Sequence, residues 1–132
     1  MAPRTRVSSG GPWEERIGYS SFRQAGRIGD RVWVSGTTGT HPDGAIPPAP
    51  DAQARLALAT IARALDEAGA SLADVVSARC FVIDLADWDL MVPVVREHFG
   101  AVRPAMTMVR VAGLIDPRHR IEIEVEAVIG SA

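Results

Sequence analysis

Glu122, Glu124 and Glu126 alternate with the apolar residues Ile121, Ile123, Val125 and Ala127. In a strand that spacing sets all three carboxylates on one face and the apolar residues on the other. Like charges two apart repel, so a solvated face is the ordinary fate of such a run, with Arg110 an obvious cross-strand partner. A carboxylate withdrawn from water beside apolar side chains behaves differently. Its pKa rises, and it becomes useful as a general acid or base. Met106 and Met108 also stand two apart and share one strand face. A thioether fills irregular apolar gaps and cannot neutralise an anion. The pair therefore reads either as interface packing or as the floor of a cleft for an apolar, weakly charged ligand.

Other reactive side chains are poorly placed for chemistry. His41, His98 and His119 lie far apart without His-x-x-x-His spacing, which argues against a zinc site. Cys80 alternates with Val76, Ala78 and Val82 and reads as a buried, inert thiol. The glycine-containing stretch from Gly36 to Gly44 lacks a Gly-Lys pair and does not open directly into a helix, so it does not read as a phosphate cradle.

Composition narrows the function classes further. All 14 basic residues of the 132-residue chain are arginine, and neither lysine nor asparagine occurs. That excludes a Schiff-base lysine, a P-loop lysine, a Ser–Lys dyad and N-glycosylation. A net charge of −2 with only three Phe, three Trp and one Tyr gives no basic track or stacking platform for nucleic acid. One cysteine can form neither an internal disulfide nor a multi-thiolate metal site. Mean hydropathy is +0.08, no apolar run approaches ~20 residues, and the N-terminus lacks an apolar signal core. The expectation is a cytoplasmic protein that uses neither membrane nor nucleic acid.

The elements that must position these residues can be read from periodicity. Residues 1–15 are polar and read as a flexible lead-in, and residues 16–132 as one domain. Tyr19 to Gly36 reads as a hairpin turning at Gly29-Asp30, and the stretch from Gly36 through Pro50 as a loop. Ala54, Leu58, Ile61, Leu65 and Ala68 recur at helical steps over residues 51–68, with Asp51 as cap and Gly69 past the end. Residues 75–84 read as a buried strand. Trp88, Met91 or Val92, Val95 and Phe99 mark a second helix, and Pro93 moves its expected start towards Leu90. Strands follow at 105–112 and 121–129. The order β-β-α-β-α-β-β specifies an α+β protein with a mixed sheet and helices on one face. Its open face is expected to carry Met106, Met108 and Arg110 beside the three glutamates and to be covered by a second copy of the chain.

At this level the sequence resembles the reactive intermediate deaminase (Rid) family, also called RidA/YjgF and, under an older label, endoribonuclease L-PSP. The resemblance rests on Gly18-Tyr19-Ser20, Val32-Trp33-Val34-Ser35-Gly36, Gln53, Gly69-Ala70, Asp74-Val75-Val76, Phe81-Val82-Ile83-Asp84, Phe99, Arg103-Pro104-Ala105 and Ile121-Glu122-Ile123-Glu124. These segments span residues 16–129 in the family's order.

The resemblance implies a chorismate-mutase-like protomer in a homotrimer with clefts between subunits. It implies hydrolysis of reactive enamines and imines without metal or organic cofactor. It places Glu122 at the position that holds the attacking water, Tyr19 at the cleft-lining tyrosine, and Ser35 and Gly36 at the Ser-Gly turn. The family's carboxylate-gripping arginine falls at Met106, and the small polar residue two further on falls at Met108. Arg103 and Arg23 are the nearby cations able to grip an anion from a shifted position. The expected function is enamine or imine hydrolysis on an unassigned small-molecule ligand. A non-catalytic, ligand-binding trimer is the alternative, and an endoribonuclease the weaker one.

Overall fold

In a computed structural model of the chain, residues 3–17 and 24–132 are described here. Tyr19 and Arg23 lie outside them. The elements run β1 (Arg4–Val7), α1 (Pro12–Ile17), β2 (Ala25–Ile28), β3 (Arg31–Thr38), α2 (Pro50–Glu67), a 3₁₀ turn (Leu72–Asp74), β4 (Val75–Val82), α3 (Asp87–Phe99), β5 (Ala105–Arg110) and β6 (Ile121–Val128). One six-stranded sheet has the order β1-β2-β3-β6-β4-β5. Among the described residues only β4 and β5 pair in parallel, and the other neighbouring pairs are antiparallel. The mixed α+β sheet read from the pattern is therefore present.

The core follows from two periodicities. Along β6, Ile121, Ile123, Val125 and Ala127 are buried while the intervening glutamates are half-buried. Along α2, Leu58, Ile61 and Leu65 are fully buried, each burial contributing about 1.5–3 kcal/mol. This helix packs across β3 and β6 and against α3, so both long helices cover one face of the sheet. Gly29 sits at φ 59° in the two-residue turn between β2 and β3, a backbone region that glycine enters without steric cost.

Several boundaries differ from the sequence reading. Residues 4–7, placed in the lead-in, form an edge strand antiparallel to β2, and residues 12–17 form a short helix. Polar Arg-Thr-Arg carries no apolar alternation; ladder hydrogen bonds rather than burial make it a strand. Helix α2 begins at Pro50 with Ala49 as its N-cap, so Asp51 lies inside the first turn instead of capping it. Proline has no N–H to leave unsatisfied there. Helix α3 begins at Asp87 and runs through Pro93. Its first turn is held by Asp87, whose buried carboxylate accepts from Arg120 Nε at 2.7 Å.

A larger correction concerns β5. Met106, Met108 and Arg110 are in register with Ala78, Cys80 and Val82, which are buried on the helix side. The glutamates are in register with Phe81, Arg79 and Ser77, which in turn pair with Val109, Thr107 and Ala105. The methionine row and the glutamate row thus occupy opposite faces. Residues of an edge strand are exposed on either face, so apolarity does not fix which way the row points. The pairing of Ala105 with Ser77 decides it.

Candidate active site on the open sheet face

Glu122 enters the open face through the alternation of β6, beside a bulge in β3. Val34 pairs with Val125 and Thr37 with Ile123, so Ser35 and Gly36 together oppose the single residue Glu124. Around this bulge Gln24 Nε2 donates to Thr37 Oγ1 at 2.9 Å, the Thr37 hydroxyl donates to the Ser35 carbonyl at 2.8 Å, and Ser35 N donates to the Gln24 carbonyl at 2.9 Å. Strand β3 consequently continues to Thr38 where a loop was expected.

The bulge brings the Gly36 backbone against the Glu122 side chain. A Cβ on Gly36 would overlap Oε1 and stand 3.0 Å from Cδ. Thr38 is the register partner of Glu122 on β3, and Phe81 its partner on β4, with Val109 next in the row. Burial, and then the neighbouring Glu124 charge, hold the Glu122 carboxyl above its ordinary value of 4.5. Arg79, the cation facing this row from β4, donates to Glu124 Oε1 at 3.0 Å. Arg110, the expected partner, instead donates from Nε to the Ile83 carbonyl at 3.2 Å. Among the described residues no ion pair forms to Glu122. A carboxyl of this kind can both take a proton from water and return one to a leaving group.

On the same face, around Glu124 rather than Glu122, lies a concavity of about 230 Å³ bordered by Trp33, Ser35, Ser77, Arg79, Glu124 and Glu126. Arg79, Ser77 and Trp33 were not singled out from sequence. The signal available was their parity, opposite to the apolar residues of strands 75–82 and 31–38.

The remaining candidates separate. Met106 is partly exposed at 37% on the helix side of β5, and Met108 packs against the core. Arg103 holds φ 52°, rare for a side-chain-bearing residue, and borders a different groove of about 480 Å³ with Val76, Val102 and Pro104. That groove is at the end of β5 that pairs with Ser77, away from the Phe81–Glu122 row. Within one protomer, then, Glu122, Gly36 and Ser35 are grouped, while Met106, Met108 and Arg103 are not. Tyr19 lies outside the described residues.

Residues outside the site have structural partners. Burial pushes the Cys80 thiol up to about 11, so it stays protonated. His119 Nε2 lies 2.8 Å from Thr40 Oγ1, and His98 Nδ1 lies 2.7 Å from the Val94 carbonyl. Among the described residues no cluster of three or more His, Cys, Asp or Glu could hold a metal ion, and no helix is long and apolar enough to cross a membrane.

Residues 14–129, nearly the whole chain and including the Gly36–Glu122 contact, match the family model described as Endoribonuclease L-PSP. The chain belongs to that family, known also as Rid or YjgF. It resembles the crystal structure of Rv2704 from Mycobacterium tuberculosis, described as a member of the YjgF/YER057c/UK114 family. The two are 43% identical with a TM-score of 0.87, over 96% of this chain and all of that one. It is 43% identical over 72 residues to the 3-aminoacrylate deaminase RutC of Acinetobacter baylyi, covering 54% of this chain and 56% of that protein. It also resembles Escherichia coli TdcF, solved with bound serine, at 31% identity and a TM-score of 0.77, over 83% and 88% of the two chains. The Rid fold, with its chorismate-mutase-like α+β protomer, is thus the architecture of this chain.

Proposed function

We propose that this Rid-family protein hydrolyses the C=N bond of a reactive enamine or imine, with Glu122 as the proton-handling group. The observation that carries the reading is the Glu122 carboxyl lodged against Gly36 without a cation partner among the described residues. A carboxylate tied to arginine is a weak base; one shielded from water and facing a second carboxylate is a stronger one. The likeness to a 3-aminoacrylate deaminase supports the same chemistry class, and the serine-bound relative supports a small polar ligand.

The mechanism balances with this one group. An enamine first takes a proton from solvent at carbon to become the iminium ion. Glu122 then accepts a proton from water as the water oxygen bonds to the iminium carbon, and the C=N electron pair passes to nitrogen, giving a neutral carbinolamine. The carboxyl returns its proton to nitrogen, the C–N bond breaks, and the carbinol loses its O–H proton to solvent, replacing the one taken at carbon. The products are a carbonyl compound and ammonia. No redox step and no further reactant is needed.

The same reading places the cleft between copies of the chain in a homotrimer. The open face with Trp33, Phe81 and the 41% exposed Val109, together with the outer edge of β5, which no strand among the described residues pairs, supports such a neighbour. In a trimer the β5 edge of one copy is free to meet Glu122 of the next, which a single protomer does not allow. Met106 at that edge favours a ligand less anionic than an amino-acid-derived imine.

Ammonia release from enzymatically generated imines and from 2-aminoacrylate, against a buffer blank, tests the reading. Acceleration by the natural protein and its loss in Glu122→Gln are expected. Equal rates for the two proteins would remove Glu122 from the chemistry.

A further inference from the structure

Gln53 is fully buried in the first turn of α2, on the helix side of the sheet, yet its amide makes no contact within its own helix. Nε2 donates to the Pro47 carbonyl at 2.8 Å and to the Arg118 carbonyl at 3.0 Å, while Oε1 accepts from Arg120 N at 2.8 Å. The two donors and the acceptor face different chain segments, so the amide has one orientation; rotating it by half a turn would oppose every partner. A buried amide satisfied this fully costs little, whereas removing it leaves three backbone groups unpaired away from water.

These contacts converge on Glu122 from both sides. Arg120 is two residues before Glu122, and its N–H is where the loop 111–120 joins β6. Its carbonyl accepts from Ile83 N at 3.0 Å and its guanidinium is paired with Asp87, so residue 120 is fixed on three sides. On the other flank Gly39 follows Thr38, the register partner of Glu122. A Cβ on Gly39 would lie 2.6 Å from the Gln53 carbonyl carbon, so the chain leaving β3 rests directly on the Gln53 backbone. The loops are joined once more by Thr40 and His119.

We propose that Gln53 is the positioning residue of the Glu122 site: its amide and backbone fix the end of β3 and the start of β6, and so press the Glu122 carboxyl against Gly36. Its catalytic meaning rests on the function proposed above; its structural meaning does not.

The test follows the Gly36 amide resonance by NMR while Glu122 titrates, because the Cα of that residue faces the carboxyl and its amide is close enough to sense the charge. Gln53→Met removes the hydrogen bonds at similar volume, and Gln53→Glu keeps an acceptor while losing donors. Leu65→Ala, a core cavity at the far end of the same helix, serves as a variant that lowers stability without touching the loops. In the Gln53 variants the titration-linked Gly36 shift is expected to fall about twofold or more, and in Leu65→Ala to persist. Where hydrolysis is measurable, kcat should fall about tenfold or more with KM little changed. An undiminished Gly36 shift in a folded Gln53 variant overturns the proposal, as does an equal loss in Leu65→Ala. Failure of both Gln53 variants to fold also overturns it, by making Gln53 a determinant of the whole fold. An inactive natural protein would reject the function but leave the NMR result decisive.

Discussion

Gly36 leaves empty the volume that the Glu122 carboxyl occupies: any Cβ there would overlap Oε1 and lie 3.0 Å from Cδ. The backbone at Gly36 is not in the left-handed region, so an alanine meets no strain of its own. The conflict is purely steric, between one methyl group and one carboxyl. Gly36→Ala is expected to cost about 1–3 kcal/mol of stability as overpacking, and to push the Glu122 carboxyl towards solvent. Thermal unfolding reports the first effect. A fall in the Glu122 titration midpoint towards an ordinary glutamate reports the second, and an unmoved midpoint would show that the carboxyl does not depend on this contact.

Glu122 should also impose a pH dependence on stability. Its folded pKa lies above 4.5, so the folded chain holds this proton where the unfolded chain has lost it. The resulting stabilisation is complete below the unfolded value and is lost as pH rises through the folded value. Glu122→Gln removes that loss. The variant should therefore melt higher than the parent at about pH 7.5, with the gap closing below about pH 4. A variant less stable than the parent at neutral pH would contradict the burial argument.

Glu14 predicts the opposite slope. Burial raises its pKa, but the hydroxyls of Ser9 and Ser8 and the Ser9 N–H outweigh that and leave it lowered. Its contribution is present above the ordinary value of 4.5 and disappears as pH falls through the folded value. Glu14→Gln should be less stable than the parent at neutral pH, and the difference should shrink on acidification. Parallel melting curves across that range would show that the Ser8–Ser9 contacts do not favour the charged form.

Met106→Arg separates a within-chain site from a shared one. Met106 is partly exposed at the edge strand, so a longer side chain enters without a core clash and stability should change by less than about 0.5 kcal/mol. Within one protomer this position faces away from Glu122, in register with Ala78. A gain in ammonia release from amino-acid-derived imines would therefore mean that the new guanidinium meets Glu122 of a neighbouring copy. Analytical ultracentrifugation of the same sample should then show three chains per particle. Gain of activity in a strictly monomeric protein would contradict the shared cleft.

Much of the fold was legible along the chain because burial repeats with the period of each element. The heptad-like steps of Ala54, Leu58, Ile61 and Leu65 and the strict alternation of Ile121 to Val125 each fix which face is buried. Glu122 was legible as a candidate for the same reason, joined to the family resemblance. The edge strand was not. Ala105, Thr107 and Val109 are as compatible with either face as Met106, Met108 and Arg110, so their placement needed the parallel register with β4.

The sequence by itself determined the element types from β3 onward, the buried stripe of each long helix, the acidic strand and the family. These depend on local spacing and side-chain chemistry. Only the tertiary structure decided that Gly36 meets Glu122 across a bulge, that Arg79 takes Glu124, and that Gln53 ties two distant loops. Those relations depend on register and on which segments share a buried volume, and such pairings arise only when strands far apart in the chain are laid side by side.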